Sequence, residues 1–200
     1  MDTTSTSAAL RRRTALAGLA VGTFALVLER SAFARGPSVR PEGSLEARRS
    51  SLSPKHLSLV VAQTGESFSD VFADGDRYDD RGLARLNKLL RDYRTGEVKS
   101  IDPALFDVLA RVQSKVGQPL RVLSGYRSWE TNRQLHMAGF DVAEHSLHIA
   151  AKAVDFMVPG ISAEKLGDIC RGCGASGGLG IYQSGFVHVD TGTMRNWTGA

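Results

Sequence analysis

The 200-residue sequence predicts an α+β fold: a small, mostly antiparallel sheet with helices packed mainly on one of its sides. Apolar and polar residues alternate at period two through Val154–Val158 and Phe186–Asp190, which is the pattern of half-buried strands. Leu83, Leu86, Leu89, Leu90 and Tyr93 make one stripe, and Phe106, Leu109, Val112 and Val116 another, each at the spacing of an amphipathic helix. Gly177–Tyr182 meets Phe186–Asp190 across a short Gln183-Ser184-Gly185 turn, a hairpin and therefore an antiparallel pair. The length suits a single core.

The elements follow in order. Residues 1–34 read as a twin-arginine signal peptide: Arg11-Arg12-Arg13-Thr14-Ala15-Leu16, an uncharged run from Thr14 to Leu28, then Ala32-Phe33-Ala34 as a cleavage site. That run is too short for a comfortable bilayer span, so no stable membrane insertion is expected after the signal is removed; an uncleaved membrane anchor is the alternative. The expected compartment is a periplasm. Residues 35–54, rich in Gly, Pro, Ser and Arg, read as a flexible linker, and 55–200 as the folded domain. The net charge of +4 includes four arginines and two acids of the leader, so the exported chain carries +2. That is mildly basic and without a concentrated patch, so no nucleic-acid partner is expected.

His56–Val61 and Ser67–Phe72 predict two strands joined through Thr64-Gly65-Glu66. Asp79 or Asp80 can cap the first helix, which is expected to end near Gly96. Asp102, Pro103, and Ile101 facing Phe106 mark the start of the second helix, and Gly117 its end. Leu120–Leu123 is a short strand. Ser128 caps a helix to about Met137, and Ser162 another to about Arg171. His136 reads as structural, and His145 has no assigned role. Cys170 and Cys173 are the only cysteines. Their C-x-x-C spacing is open to a thiol oxidoreductase pair or half a zinc knuckle, with a local disulfide the plainer reading.

The candidate site lies in Ser146–Phe156. His148 and Asp155 are both ligand types for zinc. Seven residues span ~10 Å along a helix axis and ~23 Å along a strand, whereas two ligands of one ion each lie ~2 Å from it. The chain must therefore fold back between them, which the small residues Ala150, Ala151 and Ala153 permit. Asp155 then faces away from Val154 and Phe156, and His188 and Asp190 face away from Val187 and Val189.

The same residues carry a resemblance. Ser146-x-His148-x-x-Ala151-x-Ala153-x-Asp155 resembles the S-x-H-x-x-G-x-A-x-D signature of the D-alanyl-D-alanine type zinc peptidases. That superfamily also includes the lysostaphin-type endopeptidases and the Hedgehog signalling domain. Phe186-Val187-His188-x-Asp190-x-Gly192-x-x-Arg195-x-Trp197 resembles one branch, the YcbK-like murein endopeptidases. Ser124–Ser128 and Asp92–Glu97 extend the resemblance from about His56 to Trp197.

The resemblance implies one Zn²⁺ per chain, held by His148, Asp155 and His188, in a peptidase acting on peptidoglycan stem peptides or crosslinks; a monomer is expected. It also implies that Arg127 contacts substrate and oxyanion, a role suited to a fixed guanidinium. Two positions depart from the superfamily: Ala151 stands for a glycine, and Gly185 stands where carboxypeptidase branches place an acidic base. Asp190 is then the candidate proton-handling carboxylate, or alternatively a hydrogen-bond partner for a ligand's free ring N–H, or simply the ion-pair partner of Arg195. A zinc-containing peptidoglycan-binding module without turnover is the alternative function.

Overall fold

In the computed structural model, residues 53–140, 142–174 and 177–199 are described; the expected leader and nearly all of the expected linker lie outside them. Along β1 (Pro54–Val61), Leu57, Leu59 and Val61 are buried while the residues between them are not. β2 (Ser67–Asp74) returns antiparallel to it after a turn in which Gly65 has φ 70°, a left-handed conformation that suits glycine. A two-residue β3 (Arg77–Tyr78) extends that edge.

The helices start where their caps predict. Asp79 accepts from Gly82 N (2.6 Å) at α1 (Asp80–Leu89), and Asp102 from Ala104 N (3.1 Å) at α2 (Pro103–Val116). Ser128 accepts from Thr131 N (3.1 Å) at α3 (Trp129–Met137), and Ser162 from Lys165 N (3.3 Å) at α4 (Ala163–Gly172). One expectation is corrected: α1 stops at Leu89 rather than near Gly96, and Tyr93 is 38% exposed. The buried Asp92 carboxylate accepts from Arg94 N (2.9 Å) and Thr95 N (3.4 Å), so a local turn replaces the helical ladder.

β4 (Leu120–Ser124), β5 (Ala153–Met157), β6 (Gly178–Tyr182), β7 (Phe186–Asp190) and β8 (Arg195–Gly199) complete one eight-stranded sheet of order β3-β2-β1-β4-β5-β7-β6-β8. It is mostly antiparallel, as expected; only β1–β4 and β6–β8 pair in parallel. It is not small. The parallel β1–β4 pair joins the N-terminal hairpin to the strands that carry the site, and β3 and β8 are too short or too polar to show period-two patterning. α2 packs on β1, α4 packs on β6 and β7, and the two helices touch each other, so they share one side of the sheet. Phe72 of β2 meets Phe106 of α2 edge-on there, with ring centroids 6.2 Å apart. Among the described residues no helix is long and apolar enough to cross a membrane.

The predicted fold-back precedes β5. Ile149 N donates to Ser146 O (3.0 Å) and Lys152 N to Leu147 O (2.9 Å). Ala151 sits at φ 56°, the one described non-glycine residue with positive φ, and is fully buried. Ala151→Val should therefore lower stability by about 2 kcal/mol or more, since a β-branched residue at positive φ in a closed site combines backbone strain with overpacking. Ala151→Gly should stay within about 1 kcal/mol of the parent, because backbone relief offsets the lost methyl burial. Urea midpoints check both, and an unchanged midpoint for Ala151→Val would contradict the strained turn.

Candidate metal centre

Asp155 on β5 and His188 on β7 are direct cross-strand partners. Directly opposed residues of an antiparallel pair put their side chains on one face, close together. The face is the one away from α2 and α4, because Val154, Phe156, Val187 and Val189 occupy the core. His148 reaches the same point from the fold-back, its backbone N–H held by Ser146 Oγ (3.3 Å).

Three donor atoms converge. His148 Nε2 lies 3.2 Å from His188 Nδ1 and 3.2 Å from Asp155 Oδ1, and His188 Nδ1 lies 2.8 Å from Asp155 Oδ1. Ligands ~2 Å from a common ion at tetrahedral angles lie ~3.3 Å apart, so these spacings fit a metal. The outward ring nitrogens support it. His148 Nδ1 donates to Gly125 O (2.7 Å), and His188 Nε2 donates to Asp190 Oδ2 (3.0 Å). With both outer nitrogens protonated, each inner nitrogen keeps its lone pair for a ligand, an orientation metal-binding histidines rely on.

Electrostatics agree. Burial opposes the charge on Asp155, but His148 and His188 outweigh it and hold the carboxyl well below the usual carboxylate range. Burial pulls His148 below its ordinary value, which favours the neutral, ligating form. Burial acts the same way on His188, yet its hydrogen bonds to Asp155 and Asp190 raise it overall. Carboxylates that draw a proton to His188 would draw a divalent cation as well.

Arg127 is at the site but engaged: Nη2 donates to Asp155 Oδ2 (2.7 Å) and Nε to Ser124 Oγ (2.8 Å). It therefore fixes the second oxygen of Asp155 while Oδ1 faces the histidines. Asp190 is 1% exposed and lies behind His188. Besides His188 it accepts from Gly178 N (2.8 Å), Gly192 N (2.8 Å) and Arg195 Nη2 (2.7 Å). Burial works against its charge, but these donors keep the carboxyl well below the usual range.

The three donors open into a cleft of about 660 Å³. By sheet order its floor runs from Ser124 on β4, through Asp155 and His188, to Tyr182 on β6 and Trp197 on β8. Trp197 lies against His188, with ring centroids 5.2 Å apart, and donates from Nε1 to Tyr182 Oη (3.1 Å). Gly180 makes room for it, since a Cβ there would lie 2.6 Å from the indole. His145 lines the cleft, and His136 sits exposed on α3.

The structure also brings in residues that carried no assignment in the sequence. The buried Asp92 accepts from Ser128 N (2.8 Å) and Ser128 Oγ (2.7 Å), tying the loop after α1 to the start of α3. Asp92 lies within the apolar stripe, ahead of Tyr93, and the available signal was an Asp with Gly four residues on, a turn-forming pair. Cys170 and Cys173 stand as free thiols. Burial pushes Cys170 up to about 12, the opposite of what a redox nucleophile needs.

A buried, three-donor His/Asp/His site at the floor of an open cleft, on the face of a mixed sheet away from two packed helices, defines a candidate metallohydrolase. Residues 49–197 match the family model described as peptidoglycan L,D-endopeptidase MepK. The chain is 40% identical over 190 residues to the peptidoglycan L,D-endopeptidase MepK of Escherichia coli K12, covering 94% of this chain and 96% of that one. It is 35% identical over 170 residues to the probable peptidoglycan L,D-endopeptidase MepK of Haemophilus influenzae, covering 83% and 90%. No solved structure matches. The chain belongs to the MepK family of peptidoglycan-cleaving peptidases.

Proposed function

We propose that this protein is a zinc-dependent endopeptidase that cuts peptide crosslinks of peptidoglycan at a bond between an L- and a D-centre. We place its work in the periplasm, after twin-arginine export, as a monomer. The observation that carries the reading is the convergence of His148 Nε2, Asp155 Oδ1 and His188 Nδ1 within 2.8–3.2 Å of one another, open to the cleft. That relatives are named as L,D-endopeptidases supports this choice of bond.

Zinc held by these three residues would leave a coordination position for water and substrate, supplying Lewis acidity and a nucleophile at neutral pH. The chain's own residues do the rest. Gly125 O and Asp190 hold the two imidazoles in the ligating tautomer. Arg127 keeps Asp155 turned so that one oxygen faces the histidines. Its Nη1 makes no hydrogen bond among the described residues, so it is available to a carbonyl oxygen gaining charge in the cleft. Of the roles open to Asp190, we assign positioning of His188 rather than proton transfer, with Arg195 as a further partner, because its oxygens are buried and already accept from His188, Gly178, Gly192 and Arg195.

Purified sacculi incubated with the protein, followed by muropeptide chromatography, test this. L,D-linked dimers should fall to monomers, a chelator should stop the reaction, and zinc should restore it. Protein that sediments with sacculi but releases nothing would instead select the binding-module reading, to which the glycine at position 185, in the β6–β7 turn at φ 93°, gives some weight.

A further inference from the structure

Three guanidinium groups line the cleft, those of Arg94, Arg127 and Arg195. Two already have acids: Arg127 pairs with Asp155 at 2.7 Å and Arg195 with Asp190 at 2.7 Å. Arg94 has no carboxylate partner among the described residues. Its guanidinium carbon lies 4.5 Å from the centre of the Tyr93 ring. A guanidinium laid on an aromatic face keeps its N–H edge free to meet an anion in the plane.

The placement is built rather than incidental. Asp92, 2% exposed, accepts from Arg94 N at 2.9 Å and from Ser128 N and Oγ at 2.8 and 2.7 Å. That one carboxylate fixes the Tyr93-Arg94 turn against the residue following Arg127. Nearby, Tyr126 N donates to Leu90 O (2.8 Å) and Tyr126 Oη to Glu97 Oε1 (2.6 Å), tying both sides of the turn to the β4 end of the cleft. Arg94 is close enough for its charge to oppose that of Arg127. Asp155 compensates Arg127 but leaves nothing for Arg94. The opposite end of the floor is aromatic, with Tyr182 stacked on Phe186 at 4.4 Å and Trp197 beside them. The cleft is thus polarised, cationic beyond β4 and aromatic toward β8, with the three metal-type donors between.

We propose that Arg94 is a specificity-determining residue that binds a free carboxylate of the peptide substrate on the β4 side of the scissile bond. The enzyme would thereby favour acidic peptides over their carboxamide forms. The inference rests on the peptidase reading above and names the substrate chemistry that this end of the site selects. A charge-assisted, in-plane contact to a stacked guanidinium with a preset loop should be worth about 10- to 100-fold in affinity.

The test uses two synthetic L,D-linked peptides that differ only in a carboxylate or carboxamide beside the scissile bond, plus their non-cleavable N-methyl analogues for calorimetry. The zinc-loaded parent should prefer the acid by about 10- to 100-fold, chiefly through KM, and the acid analogue should bind more tightly by a similar factor. In Arg94→Ala that preference should collapse toward one in both measurements, and Arg94→Lys should restore part of it, since lysine keeps the charge but not the planar fork. A parent that cleaves both peptides without preference, or an Arg94→Ala variant that keeps the preference, overturns this assignment alone. A parent that binds the analogues but cleaves neither peptide overturns the peptidase reading instead.

Discussion

Replacing His148 or His188 with alanine should remove the bound metal and lower crosslink cleavage by about 10³-fold or more. Each variant leaves two donors of three, and the stabilisation at stake is several kcal/mol of charge developing at the reacting centre. The two substitutions should not be equal in other respects. His148 Nδ1 is tied to Gly125 O at 2.7 Å and its ring is buried, so its loss also loosens the turn before Arg127. His188 is tied to Asp190, so its loss leaves a buried carboxylate short of one donor. Metal analysis alongside turnover checks this. A variant of either histidine that keeps a full metal complement would show the wrong donor set.

The second large effect is expected at Asp190. All of its protein contacts come from donors, namely His188 Nε2, the amides of Gly178 and Gly192, and Arg195. In Asp190→Asn the new amide group turns a donor toward at least one of these and removes the charge that Arg195 meets. Leaving a buried donor of His188, Gly178 or Gly192 without an acceptor costs about 1–3 kcal/mol, whereas Arg195, partly exposed, loses little. Loss of the carboxylate behind a ligating imidazole typically costs 10- to 100-fold in metal affinity. We therefore expect a lower melting temperature, weaker zinc binding, and activity restored by excess zinc. If zinc binds normally while turnover falls by about 10²-fold, Asp190 is handling a proton, and the positioning role is wrong.

The convergence of His148, Asp155 and His188 was largely readable because strand alternation sorts side chains by face without any tertiary information. Val154 and Phe156, and likewise Val187 and Val189, had to enter a core, which left Asp155, His188 and Asp190 on the other face. The impossibility of one regular element serving both His148 and Asp155 required the turn that Ala151 makes at positive φ. Other parts left no such trace. β3 is two residues long, and β8 is polar apart from Trp197, so neither shows a period. The parallel pairing of β1 with β4 depends on contacts between distant segments. The apolar stripe predicts a longer α1 because Tyr93 continues it, while the Asp92 turn that follows the helix is a side-chain hydrogen-bonding effect invisible to periodicity. The partner of Arg127 was likewise hidden, since a guanidinium beside an acid is legible only once β4 and β5 are paired.

The most direct measurement is a titration of chelator-treated, full-chain protein with zinc while cleavage of an L,D-crosslinked muropeptide is followed. Activity should be near zero without metal, rise in proportion to added zinc, and level off at about one ion per chain, as a single three-residue site requires. Cleavage that is already complete in the metal-free protein, or that never appears at any zinc level, would contradict the account.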